Sequence, residues 1–260
     1  MKIQKIVDTL EQWSPTQQAE DFDNVGLIVG DVNDDLTGVI ICLDTTEKII
    51  DEALEKNCNL IISFHPIIFS GIKKLTPNSY VEKTIIKAIK NKISIYAIHT
   101  SLDNHRHGVN YMISKKLGLI NSKILIPKYE NKTIGMGRIG KLKEAINEND
   151  FMDYLKSTMQ TKLIRHSKFL GKKIKKVAVL GGSGAFGIES SIKQNADAYV
   201  TSDLKYHNFF EANDKIVLFD IGHYESEQFT KKLIHDYLTK KFPSFAIVLA
   251  TTNTNPVNYF

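Results

Sequence analysis

The chain has 260 residues, of which 42% are hydrophobic and 24% charged, a balance typical of a folded globular protein rather than a disordered one. No apolar stretch approaches the roughly 20 residues of a membrane helix, and no secretory signal is apparent. The two cysteines, Cys42 and Cys58, indicate buried free thiols in a reducing cytosol rather than a disulfide framework. The net charge of +5 is spread over scattered lysine clusters, which favours a solvated surface over a nucleic-acid groove.

The first half of the chain alternates helical and extended patterns. Apolar residues at helical spacing predict a first helix over 3–13, and short β-branched runs predict strands between the later helices. Thr45 or Thr46 is the expected N-cap of the second helix. The predicted strands are 27–29, 38–43, 60–63 and 93–98, and the further helices are 47–56, 80–91 and 109–117.

A less regular linking region spans 121–170, with a strand expected near 133–140 and a helix over 150–159. The alternation then resumes with three short apolar runs, each followed by polar residues that can do chemistry. These strands are 177–180, 198–201 and 216–220; a helix over 225–238 and a strand over 244–250 follow. Alternation on this scale predicts an α/β protein with largely parallel sheets.

The two halves of the chain have the signs of diverged copies. Two strands of each half align at a single offset, and both third strands end in a histidine that precedes a carboxylate by four residues. The aligned segments are 38–42 with 176–180 and 59–63 with 197–201, and the matching pairs are His99 with Asp103 and His223 with Glu227. We therefore predict similar βα lobes at 1–120 and 171–260 that face each other, with their strand ends meeting in a shared cleft.

Histidines and carboxylates are concentrated where the predicted strands end. A mixture of imidazole nitrogen and carboxylate oxygen suits Zn, Mn, Fe or Co better than Ca or Mg. A single histidine at a strand end more often caps backbone groups, but several at successive strand ends favour a metal site in the cleft. The residues concerned are His65, His99, Asp103, Asp203, His207, His223 and Glu227.

Two segments fit the glycine pattern G-x-G-x-x-G. The segment 135–140 follows a polar run rather than a buried strand, so we do not interpret it as a nucleotide motif. The segment 182–187 follows a predicted strand, as in a dinucleotide-binding fold. An alternative is that Gly182 and Gly184 let the backbone approach the metal cleft closely, or bind a phosphate there.

Six blocks of sequence, in order, carry a resemblance to a known family. They are DFDNVGLIVGD (21–31), LIISFHPIIFSGIKKLT (60–76), AIHTSLDNHRHGVN (97–110), GGSGAFGI (181–188), DAYVTSDLKYHNFFEA (197–212) and DIGHYESE (220–227). The chain resembles the GTP cyclohydrolase 1 type 2 homologues, also called the NIF-three-like family. The resemblance implies a cytoplasmic protein with two similar α/β domains around a dinuclear metal site, assembled as a toroidal homohexamer, a trimer of dimers. Some relatives carry a further domain between the halves, and the short linking region at 121–170 indicates that this chain lacks it.

The resemblance also implies a set of metal ligands: His65, Asp103, His223 and Glu227, with the counterpart of Glu227 bridging both metals. One position departs from the family, because two adjacent histidines usually precede the proline and here the first is Phe64. Phenylalanine cannot donate an electron pair to a metal. Either the second metal binds weakly, or His99, Asp203 or His207 replaces the missing imidazole.

The sequence leaves three functions open. The first is a metal-dependent hydrolase of unknown small-molecule substrate, using one or two divalent ions, with His99 and His207 as candidates for proton transfer. The second is a non-catalytic metal carrier or assembly scaffold, which the missing histidine favours. The third is a nucleotide-binding or nucleic-acid-binding protein, which the segment 182–187 and the mild positive charge favour.

Overall fold

Two sheets organise the computed structural model, which describes residues 1–128 and 131–260, positions 131 and 132 by their backbone alone. In chain order the strands are β1 (Gly26–Val29), β2 (Val39–Cys42), β3 (Leu60–Ser63), β4 (Ser94–Ala97), β5 (Ile120–Lys128), β6 (Asn131–Ile146), β7 (Arg165–His166), β8 (Ile174–Ser183), β9 (Ala198–Ser202), β10 (Val217–Asp220) and β11 (Ile247–Leu249). The α-helices are α1 (Gln4–Trp13), α2 (Glu47–Glu55), α3 (Tyr80–Lys90), α4 (His99–Asn104), α5 (Val109–Lys116), α6 (Glu148–Met159), α7 (Ile188–Lys193), α8 (His223–Glu227) and α9 (Thr230–Lys241). Segments of 3-10 helix lie at Thr16–Gln18, Ala185–Gly187 and Tyr206–Ala212.

The chain divides into two compact units, each with its own sheet. The first unit consists of Met1–Leu102 and Thr230–Pro256, and the second of Asp103–Phe229 and Val257–Phe260. This division differs from the sequence-based boundaries at 120 and 170. The C-terminal α9 and β11 belong to the first unit, and β5 and β6, which lie in the predicted linking region, belong to the second sheet.

The sheet of the first unit has five strands among the described residues, in the order β1-β4-β3-β2-β11. Strands β4, β3, β2 and β11 are parallel, and β1 adds to the edge antiparallel to β4. Every residue of β2, β3 and β4 is buried, as expected for β-branched runs covered on both faces. Ile49 of α2 and Ile85 of α3 belong to the core that contacts these strands.

The sheet of the second unit has the order β5-β6-β8-β9-β10-β7. Its central strands β8, β9 and β10 are parallel, whereas β5, β6 and β7 pair antiparallel with their neighbours. Both units thus contain three adjacent parallel strands in sequence order, β2-β3-β4 and β8-β9-β10. The predicted α/β fold with two similar βα halves is confirmed.

Local sequence signals explain where several elements begin. Thr46, one of the two predicted caps, accepts a hydrogen bond from the Ile49 N–H and starts α2 directly after Asp44. Ser79 and Glu82 form a reciprocal capping box at the start of α3. These caps fix the connections that leave the carboxyl ends of the parallel strands, where the candidate site residues lie.

The structure differs from the sequence prediction in several elements. The single helix predicted over 225–238 is two helices, α8 and α9. Ser226 of α8 accepts a hydrogen bond from the Gly182 N–H, which ties α8 to the end of β8, whereas α9 belongs to the other unit. The helices α4 and α7 and the strands β5 and β7 were not predicted, since their apolar patterns are short or irregular. Across the described residues, no helix is long and apolar enough to cross a bilayer.

Candidate metal centre

The histidine and carboxylate predicted as a pair at 223 and 227 come together on α8. His223 Nε2 lies 3.2 Å from Glu227 Oε2, one helical turn further along the chain. His223 Nδ1 lies 2.7 Å from Asp203 Oδ2, just beyond the end of β9. The Glu227 side chain is 3% exposed and that of His223 is 38% exposed. The imidazole therefore lies between a buried carboxylate and one at the strand end.

These contacts shift the pKa values of His223 and Asp203. Burial alone would lower the pKa of His223, but its hydrogen bonds to Asp203 and Glu227 outweigh burial and raise the pKa to about 11. The same hydrogen bond from His223 lowers the pKa of Asp203. Without a metal, His223 thus keeps its proton near neutral pH beside the ionised carboxylate of Asp203. The donor set fits a divalent cation, since such an ion can replace the proton of His223 and lie between its Nε2 and the buried Glu227 carboxylate.

Gly182 lies directly against the carboxylate of Glu227. Its φ is +70°, and an added Cβ would overlap Glu227 Oε1 and lie 3.6 Å from His223 Cε1. The Gly182 N–H donates to Ser226 Oγ at 2.9 Å, and its carbonyl accepts a hydrogen bond from Ser202 Oγ. Only glycine combines this backbone conformation with this approach. For Gly182, this geometry favours close approach of the backbone to the site over phosphate binding.

The other glycines of the segment 182–187 serve packing on β9. A Cβ at Gly184 would overlap Thr201 Oγ1, and one at Gly187 would overlap the Tyr199 hydroxyl. The Tyr199 hydroxyl donates to the Gly184 carbonyl at 2.8 Å. The segment continues into a 3-10 turn and the six-residue α7, not into the long helix of a dinucleotide-binding fold. Gly184 therefore supports the sheet rather than contacting His223 or Glu227 directly.

Asp103 is buried near the end of α4, with 8% of its surface exposed. Asn110 of α5 connects this segment to the glycine-containing loop. Its Nδ2 donates to the Asp103 carbonyl at 3.4 Å, and its Oδ1 accepts from the Gly181 N–H at 3.0 Å. Within the second unit, the backbone at Asp103 and the loop that contacts Glu227 are thus joined through one side chain.

Two further histidines lie at strand ends in the first unit, each paired with an aspartate. His65 Nδ1, after β3, lies 2.9 Å from Asp44 Oδ1, and Asp44 Oδ2 accepts a hydrogen bond from Thr254 Oγ1 at 2.8 Å. His99 Nδ1, after β4, lies 2.8 Å from Asp23 Oδ1. Because a carboxylate only accepts, Nδ1 carries the proton in each ring and Nε2 keeps its lone pair when the ring is neutral.

Asp23 is held more firmly than Asp44. Its Oδ2 accepts hydrogen bonds from the Thr100 N–H at 3.0 Å and from the Thr100 hydroxyl. Burial alone would raise the pKa of Asp23, but the hydrogen bonds from His99 and Thr100 outweigh it and lower the pKa. Sequence reasoning missed both aspartates as site residues. The signal for Asp44 was its position directly after β2, equivalent to that of the other strand-end groups.

Phe64, which stands where the family usually has a histidine, is completely buried. Its ring centroid lies 5.0 Å from that of His65 and 5.4 Å from that of His99, and the two imidazoles are 5.3 Å apart. The three rings pack against one another at the corners of a triangle, and the phenyl ring contributes no donor atom. His207, in contrast, is exposed, and its ring lies near the rings of Tyr206 and Phe210.

The two sheets and the imidazole–carboxylate pairs at their strand ends define an α/β protein whose donors suit a transition-metal ion. The family model described as Duf34/NIF3 (NGG1p interacting factor 3) matches residues 1–256, and the chain belongs to this family. The family inferred from the six sequence blocks is thereby confirmed.

Relatives of known sequence support the same assignment. A protein of Clostridium acetobutylicum named GTP cyclohydrolase 1 type 2 homolog is 33% identical over 265 aligned positions, which cover all of this chain and 99% of the relative. A protein of the same name from Staphylococcus epidermidis is 27% identical over 367 positions, which cover both chains completely. The second relative is longer and contains residues with no counterpart in this chain.

Solved structures share the fold along the whole chain. A Bacillus cereus protein related to NIF3 superimposes with a TM-score of 0.95 at 25% identity, covering all of this chain and 99% of the other. Staphylococcus aureus protein SA1388 gives 0.92 at 30% identity, again with 100% and 99% coverage. HcgD from Methanocaldococcus jannaschii, in a structure of its reduced form, gives 0.81 at 27% identity, with 97% and 98% coverage.

Proposed function

We propose that this protein binds one or two divalent metal ions through His65, Asp103, His223 and Glu227, and that it acts as a metal-dependent hydrolase on a small molecule. The observation that carries the proposal is the group around His223. A buried glutamate and an imidazole face each other at 3.2 Å, an aspartate holds the far nitrogen of the ring, and a glycine leaves room for the carboxylate.

The chemistry of the donors supports a transition-metal ion. His65, His223 and Glu227 would supply two imidazole nitrogens and one carboxylate oxygen to one ion, and Asp103 would add a second carboxylate. Zn, Mn, Fe and Co accept such a mixed set. Asp44 and Asp203 pair with Nδ1 of His65 and His223, which leaves Nε2 of each ring as the ligand atom.

A bound divalent ion would lower the pKa of a coordinated water and polarise an electrophile. His99 is our first candidate for proton transfer, because Asp23 holds its Nδ1 and fixes the ring. His207 is the second candidate, and its exposure allows contact with a substrate. We assign Asp203 to the positioning of His223 rather than to proton transfer. The relatives' name, which contains GTP, is the reason to include nucleotides in a substrate screen.

Metal analysis tests this proposal. Protein purified without chelators should contain at least one transition-metal ion per chain, and Glu227→Gln should bind Zn²⁺ at least about tenfold more weakly. Asp203→Asn should weaken binding by a factor in the range of about 10–100, as expected when an outer partner of a ligating histidine is lost. Glu189→Gln, which removes an exposed carboxylate of the same unit, serves as the control. Metal-free native protein, or equal affinity in Glu227→Gln and Glu189→Gln, would refute it.

A metal carrier or assembly scaffold is the second candidate, and Phe64 is the observation that favours it. With a buried phenyl ring in place of an imidazole, one of two metal positions lacks a ligand and would release its ion more readily. Phe64→His should then slow transfer of the metal to an external chelator. Hydrolytic turnover that depends on His65 would exclude the carrier function.

The oligomeric state and the cellular location also belong to this proposal. The resemblance to the family supports a toroidal homohexamer and a cytoplasmic location as part of this proposal. Mass photometry should then give about six times the 29.4 kDa of one chain. Binding of nucleotides or nucleic acid is the third candidate function. Its support is weaker, because Gly184 and Gly187 are accounted for by packing against Tyr199 and Thr201. Nucleic-acid binding that does not weaken with added salt would exclude an electrostatic mode.

A further inference from the structure

The glycine-containing segment 135–140, whose glycines do not form a dinucleotide-binding turn, places an arginine in a basic group of the second unit. The segment is part of β6, where a Cβ at Gly135 would overlap the backbone of β5 and one at Gly137 would lie 3.0 Å from the Val179 carbonyl. Its glycines therefore allow close pairing of strands. Arg138 is the residue of this segment that carries charge.

The guanidinium of Arg138 is fixed by hydrogen bonds from two directions. Nη2 donates to the carbonyl and the hydroxyl of Ser122 on β5, both at 3.1 Å, and Nη1 donates to the Arg106 carbonyl at 3.4 Å. The group lies 5.5 Å from the ring centroid of Tyr111, and the His107 ring lies 4.9 Å from the same ring. We call Arg106, His107 and Arg138 the basic cluster.

In the part of the chain that the structure describes, no carboxylate balances the charge of the basic cluster. Within residues 1–128 and 131–260, no carboxylate forms an ion pair with Arg106, His107 or Arg138. Burial, followed by the charges of Arg106 and Arg138, lowers the pKa of His107. Arg138 Nε is buried and has no hydrogen-bond partner in the described part of the chain. Mutual repulsion and an unsatisfied buried donor are both relieved by an anion.

The cluster lies close along the chain to the proposed metal ligands. Arg106 and His107 follow Asp103 in the loop between α4 and α5. Arg138 pairs in register with Val179 of β8, two residues before Gly181. A Cβ added at Gly181 would lie 3.5 Å from Glu227 Cγ, and Asn110 joins Gly181 to the Asp103 carbonyl. The cluster therefore lies near the proposed ligands of the second unit.

We propose that Arg106, His107 and Arg138 bind a phosphate-type oxyanion of the small-molecule ligand. This inference deepens the proposed function and rests on it in one respect, namely that the ligand is the substrate. The substrate would then be a phosphorylated compound. Guanidinium groups match phosphate oxygens with several N–H donors, and the exposed side chains of Arg106 and His107 are accessible to such a group.

Isothermal titration calorimetry with inorganic phosphate, on the full chain at low and constant ionic strength, tests the site. Arg106→Gln should weaken phosphate binding about tenfold, the loss expected for one charge-assisted contact. Because the Arg106 side chain is exposed, this variant should fold normally. Arg138→Gln should have a similar effect, with circular dichroism to check its fold. Lys168→Gln, which removes one exposed charge from the same unit, should leave the affinity unchanged.

The variant His65→Ala separates this site from the metal site. It should lose metal affinity and keep phosphate binding. If phosphate binding is lost in His65→Ala and unchanged in Arg106→Gln, the anion binds the metal and the basic cluster is not its site. If phosphate binding depends on Arg106 but the native protein holds no metal, the oxyanion site stands and the metal proposal fails. No measurable binding of phosphate by the native protein would overturn the inference.

Discussion

Asp203 illustrates how single residues at the strand ends are specialised. It has a φ of +57°, a left-handed conformation that is uncommon for a residue with a side chain. This conformation follows directly after β9, and the carboxylate lies 2.7 Å from His223 Nδ1. An unfavourable backbone angle at the residue that orients a histidine is consistent with selection for the site rather than for stability.

Gly182 gives the sharpest test at the same scale. We predict that Gly182→Ala weakens Zn²⁺ binding by about tenfold or more, because its Cβ displaces the Glu227 carboxylate. Gly171→Ala is a matched control, since Gly171 has the same φ of +70° but no atom within 4 Å of the added Cβ. Both variants should be destabilised by about 1–2 kcal/mol through the backbone angle. Equal zinc affinities in the two variants, measured by competition with a chromophoric chelator, would contradict the prediction.

The residues that could be predicted are those whose signal is local. His223 and Glu227 are four positions apart and meet on one helical turn, as their spacing indicates. Asp44 and Asp23 lie 21 and 76 positions from the histidines that they pair with. Which carboxylate meets which imidazole depends on the order of strands in the sheet, and no local pattern encodes that order.

The elements show the same contrast between local and distant information. The strand β3 and the helix α3 are found where the apolar patterns predict them, and a capping box at Ser79 and Glu82 starts α3. The strand predicted over 244–250 is found as β11, but its place in the first unit's sheet was not predicted, because the short run Ile247–Leu249 is compatible with either sheet. It pairs parallel with β2, within the segment Thr230–Pro256 that belongs to the first unit. The partner of an edge strand is decided by tertiary packing.

Glu52 connects α2 to the segment after β11. Its carboxylate accepts hydrogen bonds from the Thr251 N–H, the Thr252 N–H and Lys56 at 2.7, 3.0 and 2.6 Å. Burial alone would raise the pKa of Glu52, but these bonds outweigh it and hold the pKa well below the ordinary 4.5. A depressed folded-state pKa stabilises the protein above the unfolded-state value, and that contribution is lost as the pH falls below about 4.5.

We therefore predict that Glu52→Gln lowers the free energy of unfolding at pH 7 by about 2 kcal/mol. The difference from the native protein should shrink steadily as the pH is lowered below about 4.5. Urea denaturation followed by circular dichroism at several pH values measures this. Glu55→Gln, an exposed neighbour on the same helix, should have little effect at any pH. A difference that stays constant down to pH 3 would show that the charge of Glu52 does not matter.

At the scale of the whole molecule, the internal repeat is what made the fold predictable. Both units repeat three adjacent parallel strands, and both place histidines directly after them. The division of the chain was harder to infer, because the first unit is built from two separated segments, Met1–Leu102 and Thr230–Pro256. The proposed ligands fall on both units, with His65 in the first and the other three in the second.

If one metal ion is held by ligands from both units, its binding should slow hydrogen exchange in each of them. We predict that Zn²⁺ protects amides around 60–66 and around 223–227 in the native chain, as measured by mass spectrometry. In His65→Ala, protection should remain at 223–227, where Asp103, Glu227 and His223 still supply donors, and should disappear at 60–66. His235→Ala, which removes a histidine of the first unit that we do not propose as a ligand, should behave like the native chain. Protection at 60–66 that persists in His65→Ala would mean that the first unit responds to the metal without supplying a ligand through His65.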